Sequence, residues 1–273
     1  MNPNREAAKA KPSTLSDEAI VKFICGNMYA QYLRYGTVPT GLISTQSDLK
    51  CALSGRSVNN YVLGANFEAE QTRDKVAQVT AMVKGWQVNA LWQIGPEANQ
   101  SDICDLAVEC GWIPGSTCIG MAIKLDEPLP DVPLPDGLTI STATDRESLR
   151  MWVGIYFSAA PQEYKDTVTD IMCELGYGPH MPWTYYIGYI DGKAMASSMV
   201  FIEKDVAGLY YIGTLPDYRK QGIGTAMTRY SLKQAQAQSN GLVVLQATDM
   251  GAKIYRHVGF QEYCKIRMLM LRA

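Results

Sequence analysis

A mixed α/β sheet, built from two divergent copies of one unit, is the fold class this sequence predicts. Three observations carry that reading. Strand-like and helix-like segments alternate from Leu138 to Leu271. A glycine-rich turn, Arg219-Lys220-Gln221-Gly222-Ile223-Gly224-Thr225, joins the strand-like Leu209–Ile212 to the helical Ala226–Gln238. The series strand, helix, glycine-aromatic pair, strand also occurs twice. It runs once through Val88–Ile94, Asp102–Cys110 and Gly111-Trp112, and again through Leu242–Ala247, Met250–Val258 and Gly259-Phe260.

In the first half, Leu15–Leu33 reads as a helix and Asn60–Leu63 as a strand. Glu70–Lys84 has the apolar spacing of an amphipathic helix. Val88–Ile94 is a strand, Asp102–Cys110 a helix, and a further strand ends near Leu125. Proline-rich chain follows from Asp126 to Asp136. Proline blocks helix and ladder alike and favours extended, stiff chain, so this stretch reads as a linker between residues 1–125 and 137–273.

In the second half, Leu138–Thr142 is a strand. Asp145 is placed to cap a helix reaching Phe157, with Leu149, Trp152, Val153 and Tyr156 on one face. Gln162–Leu175 is a second helix, and Gly176–Pro182 a stiff loop. Trp183–Ile190 and Lys193–Ile202 are strands joined by the hairpin signal Asp191-Gly192. Strand Gly208–Gly213, the glycine turn, helix Gly224–Gln238, strand Leu242–Ala247, helix Met250–Val258 and terminal strands through Leu271 complete the order.

The glycine turn is what a pyrophosphate site requires. The first turn of a helix leaves its N–H groups without intrahelical partners, and the helix dipole favours an anion there. Gly222 and Gly224 lack the Cβ that would hold a phosphate off the backbone, and Arg219 and Lys220 add positive charge.

The motif Arg219-x-x-Gly222-x-Gly224, with Tyr255-x-x-x-Gly259-Phe260 after it, resembles the GNAT superfamily of acyl-CoA-dependent N-acetyltransferases. Ile212–Arg219 looks like that family's fourth strand and its exit. The resemblance covers Leu138 to the C-terminus and implies the family's mixed sheet, with acetyl-CoA as cofactor. It implies that Gln221–Thr225 grip the pyrophosphate, with Arg219, Lys220 and Thr248 beside it. The pantetheine would lie between two strands that splay at Ile212, Gly213 and Thr214, with a bulge near Gly213. The Ile212 backbone N–H becomes the oxyanion donor, and Tyr255 the general acid that protonates the departing thiolate. The acceptor pocket falls among Tyr156, His180, Trp183 and Tyr210, an aromatic set that favours the primary amine of a small molecule or amino-acid-like acceptor.

Two departures from the family pattern stand out. The strand Ala207–Gly213 carries no Asp or Glu to deprotonate the amine; Tyr210, Tyr211, His180 or ordered water are substitutes. After Leu242–Ala247, where relatives often have asparagine, stands Thr248. In the first half, Ala107 occupies the place of Tyr255, and Gly64–Glu70 lacks the Arg-x-x-Gly-x-Gly pattern and carries Glu68 and Glu70. One active site per chain is expected, with the first copy degenerate. A CoA-binding sensor without turnover is the alternative.

Composition narrows the remaining classes. A net charge of −2 without a basic tract makes nucleic acid a poor partner. Seven cysteines, with no Cys-x-x-Cys pair, read as reduced thiols. Two histidines argue against a zinc site, and no metal is expected. No uncharged apolar run reaches membrane length and no signal-peptide core follows Met1–Asp17. A soluble, cytoplasmic monomer or homodimer, with no membrane partner, is the expectation.

Overall fold

The protein, known here from a computed structural model, is described over residues 12–98 and 100–273. Most of the polar opening stretch Met1–Asp17 therefore lies outside the described residues. The first half contains α1 (Asp17–Leu33), β1 (Leu42–Thr45), β2 (Lys50–Leu53), β3 (Tyr61–Leu63), α2 (Thr72–Gly85), β4 (Ala90–Ile94), α3 (Gln100–Glu109) and β5 (Ile113–Lys124). The second contains β6 (Thr139–Thr142), α4 (Arg146–Tyr156), α5 (Gln162–Leu175), β7 (Trp183–Ile190), β8 (Lys193–Glu203) and β9 (Val206–Thr214). It continues through α6 (Ile223–Gln238), β10 (Leu242–Ala247), α7 (Asp249–Val258) and β11 (Gln261–Leu271).

Local chemistry sets many of these boundaries. Ser16 accepts from the Ala19 N–H and starts α1. Asp145 and Ser148 form a reciprocal capping box at the head of α4. Asp191 and Gly192 both take positive φ, as a tight hairpin with a primed turn requires. Gly259, at φ 111°, ends α7 in the left-handed region. Strands β1 and β2 were not expected. They are four residues each, and β1 alternates half-buried with exposed positions, so neither leaves a strong apolar run in the sequence. The terminal strands expected after Phe260 are one long strand, β11, with register shifts near Tyr263 and Met268.

Among the described residues all the strands belong to one 11-stranded sheet in the order β1-β2-β3-β4-β11-β5-β10-β9-β8-β7-β6. The middle of that order is an exchange. β5, the last strand of the first half, lies against β10 of the second. β11, the last strand of the second half, lies against β4 of the first. The two exchanged strands pair with each other. The order β1-β2-β3-α2-β4-α3-β5 thus repeats β7-β8-β9-α6-β10-α7-β11 in element type, and each copy is completed by its neighbour's final strand.

Side chains alternate across this sheet into separate cores. Tyr61, Leu63, Tyr210 and Val244 face a core shared by α1, α4 and α5. Val62 and Trp92 face α2 and α3, whereas Leu209, Val243 and Leu245 face α6 and α7. Helix α1 of the first half packs across β9, β10 and β5, so it roofs strands of the second half. The proline-rich segment is strapped to α6: Gln236 donates to the Glu127 carbonyl at 2.7 Å and accepts from the Leu129 N–H at 3.1 Å. Among the described residues no helix is long and apolar enough to cross a membrane.

Candidate active site

Two neighbouring strands of the second half run parallel and then part. β9 and β10 pair only at Ala207↔Val243 and Gly208↔Val244. Beyond Gly208 both continue, β9 to Thr214 and β10 to Ala247, without pairing. The cause lies on the other edge of β9. Its register with β8 jumps from Met199↔Tyr210 to Ser197↔Gly213, leaving Tyr211 and Ile212 opposite Ser198 alone. Tyr211 takes φ 53°, a conformation that costs a side-chain-bearing residue about 1–2 kcal/mol. The Ser197 hydroxyl holds this bulge by donating to the Tyr211 carbonyl at 3.0 Å. Exposure follows the geometry: Val206–Tyr210 are buried, whereas Tyr211–Thr214 are half-buried. Ile212 has no cross-strand partner on either side.

The cleft leads to the head of α6. Gly222 is the residue before that helix, at φ 78°, and Lys220 also takes positive φ. The first bond at this end runs from the Ala226 N–H to the Gly222 carbonyl, which leaves the N–H groups of Ile223, Gly224 and Thr225 in the open first turn. A Cβ on Gly222 would meet no protein atom within 4 Å, and one on Gly224 would touch only Thr214 and Ile254, each at 3.7 Å. The space over the loop is therefore not required for packing within the chain. Arg219 donates its Nε to the Thr214 carbonyl at 3.0 Å, tying the loop back to the end of β9.

Tyr255 sits on α7 beside this cleft. Burial pushes its phenol well above the ordinary range, and the nearby Tyr156 hydroxyl adds to the effect. Tyr156 in turn lies over β9; a Cβ on Gly213 would come within 3.2 Å of its ring. Gly251, four residues before Tyr255, gives the ring its place, since a Cβ there would stand 3.1 Å from Cε2. Gln246, on the stretch of β10 that has parted from β9 but still pairs with β5, has a buried Nε2 without a hydrogen-bond partner among the described residues. An orphaned donor, an open helix end and two parted strands fit a ligand carrying amides and a pyrophosphate.

Residues 182–262 match the family model of the acetyltransferase (GNAT) domain. Over those residues the chain is similar to a GNAT acetyltransferase domain. Its matched residues contain the bulge, the cleft, the α6 loop and Tyr255. A curated relative, the mycothiol acetyltransferase of Thermomonospora curvata, is 24% identical over 145 residues, covering 50% of this chain and 49% of its own length. This chain spans about half the length of the curated relatives it matches. Among solved structures, the GCN5-related N-acetyltransferase from Kribbella flavida superposes with a TM-score of 0.68 at 17% identity, covering 90% of this chain and 94% of the other. A tandem GNAT protein from the clavulanic acid biosynthesis pathway gives 0.54 at 14% identity, with 82% and 78% coverage. Both show that the fold extends through both halves.

The other candidate residues fall in different places. Tyr210 is 7% exposed and donates to Asn27 Oδ1 at 2.7 Å, so its hydroxyl is engaged in the core under α1. Trp183 is buried, stacks on Phe201 and donates to the Gly176 carbonyl at 2.9 Å, where it braces the Gly176–Pro182 loop. His180 lies exposed on that loop, which enters the sheet at the level of Phe201 and Gly208, away from Thr214. Thr248 caps α7 by accepting from the Gly251 N–H at 3.3 Å. Tyr156 does lie beside Tyr255. Gly251 and Gln246 are site residues that the sequence reading passed over. The i, i+4 spacing of Gly251 and Tyr255 could have pointed to the first; nothing in the sequence marks the second. Among the described residues no group of three His, Cys, Asp or Glu could hold a metal ion.

Proposed function

We propose that this chain transfers an acetyl group from acetyl-CoA to the primary amine of a small-molecule acceptor, by direct attack within a ternary complex. The observation that carries this reading is the coincidence at one cleft of the parted β9 and β10, the open first turn of α6 and the proton-bearing Tyr255. Acetyl-CoA supplies the thioester and its acyl group. The N–H groups from Gln221 to Thr225 bind the pyrophosphate, with Lys220 beside them and Arg219 fixing the loop. The unpaired edges of β9 and β10, with Gln246 Nε2, offer donors and acceptors to the pantetheine amides.

Holding thioester and amine together contributes the effective concentration that a second-order reaction lacks. The Ile212 N–H, outside the ladder, is the donor for charge developing on the carbonyl oxygen. Tyr255 gives its proton toward the departing sulfur; burial keeps that proton in place throughout the neutral range. No carboxylate stands on β9, so the amine arrives neutral or loses its proton to water. For an amine with a lysine-like pKa this costs about 4–5 kcal/mol at neutral pH. The active half is residues 137–273, the first half being a degenerate copy joined through residues 126–136. Thiol release from acetyl-CoA across a panel of small amines tests the proposal: acceptor-dependent release is expected. Tight acetyl-CoA binding without release by any amine would mark a sensor instead.

A further inference from the structure

The core under α1, α4 and α5 contains phenols that the transfer chemistry does not use. Tyr32 and Tyr61 of the first half stack with ring centres 4.2 Å apart, and Tyr35 packs on Tyr61 at 5.6 Å. The Tyr35 hydroxyl lies 2.6 Å from that of Tyr211, the residue of the β9 bulge. Tyr211 packs edge-on against Tyr156 at 5.0 Å, and Tyr156 is the neighbour of Tyr255. The set therefore crosses the seam between the halves and ends at the reacting end of the cleft, where Tyr156 is 41% exposed.

Three features distinguish this set from sealed packing. Buried phenols ordinarily find a hydrogen-bond partner, yet no described residue bonds the hydroxyls of Tyr32 and Tyr61. Gln31, 5% exposed, donates Nε2 to the Tyr35 hydroxyl at 3.3 Å, which leaves Oε1 buried and unpaired. Turning the amide over only changes which end is left. Finally, the groups that raise the phenols of Tyr32, Tyr156 and Tyr164 are burial, each other, Tyr35 and Cys118; none is a carboxylate, ammonium or guanidinium.

We propose that Gln31, Tyr32 and Tyr61 of the first half, with Tyr156 of the second, recognise the acceptor, and that it carries its amine on an otherwise uncharged scaffold bearing hydroxyl or carbonyl groups. This rests on the acetyl-transfer reading and sharpens it. Phenol hydroxyls and a free amide end pair with hydroxyls and carbonyls, while ring faces cover the C–H surfaces between them. A carboxylate would enter without a counter-charge, and a second ammonium would find only Asp249 beyond Cys118; an unpaired buried charge is strongly disfavoured. The degenerate half thereby gains a role: it reads the acceptor while the other half holds the cofactor.

Isothermal titration of the CoA-loaded full chain tests this. Glucosamine and serinol serve as uncharged-scaffold probes, glutamate and spermidine as charged ones. The uncharged probes should bind at least about tenfold more tightly than either charged one, the scale of a single well-placed hydrogen bond. Tyr32→Phe, Tyr61→Phe and Gln31→Met should each weaken that binding about tenfold. CoA affinity should stay within about twofold in all three, and the melting temperature should not fall in Tyr32→Phe and Tyr61→Phe, whose hydroxyls have no partner among the described residues, whereas Gln31→Met also gives up its bond to Tyr35. Glutamate or spermidine binding as tightly as the uncharged probes, silence from all four at millimolar concentration, or unchanged affinity in the three variants would overturn the inference. Failure of CoA itself to bind, seen in the first titration, would remove the cofactor reading and this inference with it.

Discussion

The molecule contains two parallel strand pairs at matching places in the order of elements, β3 with β4 and β9 with β10, and only one of them opens. In the first half the pairing runs through all of β3, Tyr61↔Leu91 to Leu63↔Gln93, and continues past it as the Gly64 N–H donates to the Gln93 carbonyl at 2.9 Å. Trp92 then seals the end, its Nε1 donating to the Gly64 carbonyl at 2.8 Å. In the second half a bulge at Tyr211 and Ile212 stops the pairing after Gly208. The helix ends differ to match. α6 begins at a left-handed glycine beside Lys220, whereas the approach to α2 carries Glu68 and Glu70. The cleft is therefore an interruption of a ladder, and the closed pair differs by lacking the bulge and gaining the bond of one indole.

The sharpest way to break the comparison is Gly222→Glu, which places a side chain on a left-handed residue and a negative charge at the anion site. Acetyl-CoA affinity should fall more than about a hundredfold, or about 2.7 kcal/mol, by calorimetry. Replacing Glu68 and Glu70 with lysine should create no second site, and the stoichiometry should remain one per chain. Tyr255→Phe should lower kcat by about a hundredfold, the scale of a general acid, with acetyl-CoA affinity unchanged; an unaltered kcat would exclude the acid role. The pH profile comes next. The rate should climb up to about tenfold per pH unit as the amine loses its proton. Because the Tyr255 pKa is raised, its proton-bearing form persists to higher pH, and no descending limb from this group should appear below about pH 10, the ordinary phenol value.

Gly251→Ala should have a smaller effect, a several-fold loss of kcat as the Tyr255 ring shifts by a few tenths of an ångström, with affinity for acetyl-CoA retained. The smallest effect on activity is expected for Trp92→Phe. It removes the bond that closes the first pair, so the protein should lose about 1–2 kcal/mol of stability in denaturant titration while turnover stays as it was. A loss of turnover there would mean that the closed pair participates in the chemistry.

Much of the fold could be read from the chain. Gln162–Leu175, Trp183–Ile190 and Leu242–Ala247 end where apolar periodicity and turn residues place them. Asp145, Asp191-Gly192 and Gly259 each have a local conformational reason. The mixed sheet and the doubled order followed from these segments. β1 and β2 escaped because strands of four residues are too short to give a periodic signal. The exchange of β5 and β11 escaped for a different reason: alternation tells which face a residue takes, and not which strand lies alongside. The same gap separates Tyr210 from Tyr211. Both are strand tyrosines in sequence; a one-residue bulge sends the first hydroxyl to Asn27 and the second to Tyr35. The glycine turn and Tyr255 were visible because their backbone and spacing requirements are local. Gln31 and Gln246 were invisible because an unpaired amide becomes evident only when its surroundings are known.

The crossing of the two final strands also constrains how the chain reaches this state and what it can discard. β11 is synthesised after every strand it lies between, so β4 and β5 wait with open edges while the ribosome completes the second half, a period in which chaperone shelter would matter. Neither repeat can be inherited, expressed or deleted by itself without leaving its neighbour one strand short. Two halves locked in this way stay together whatever either of them binds.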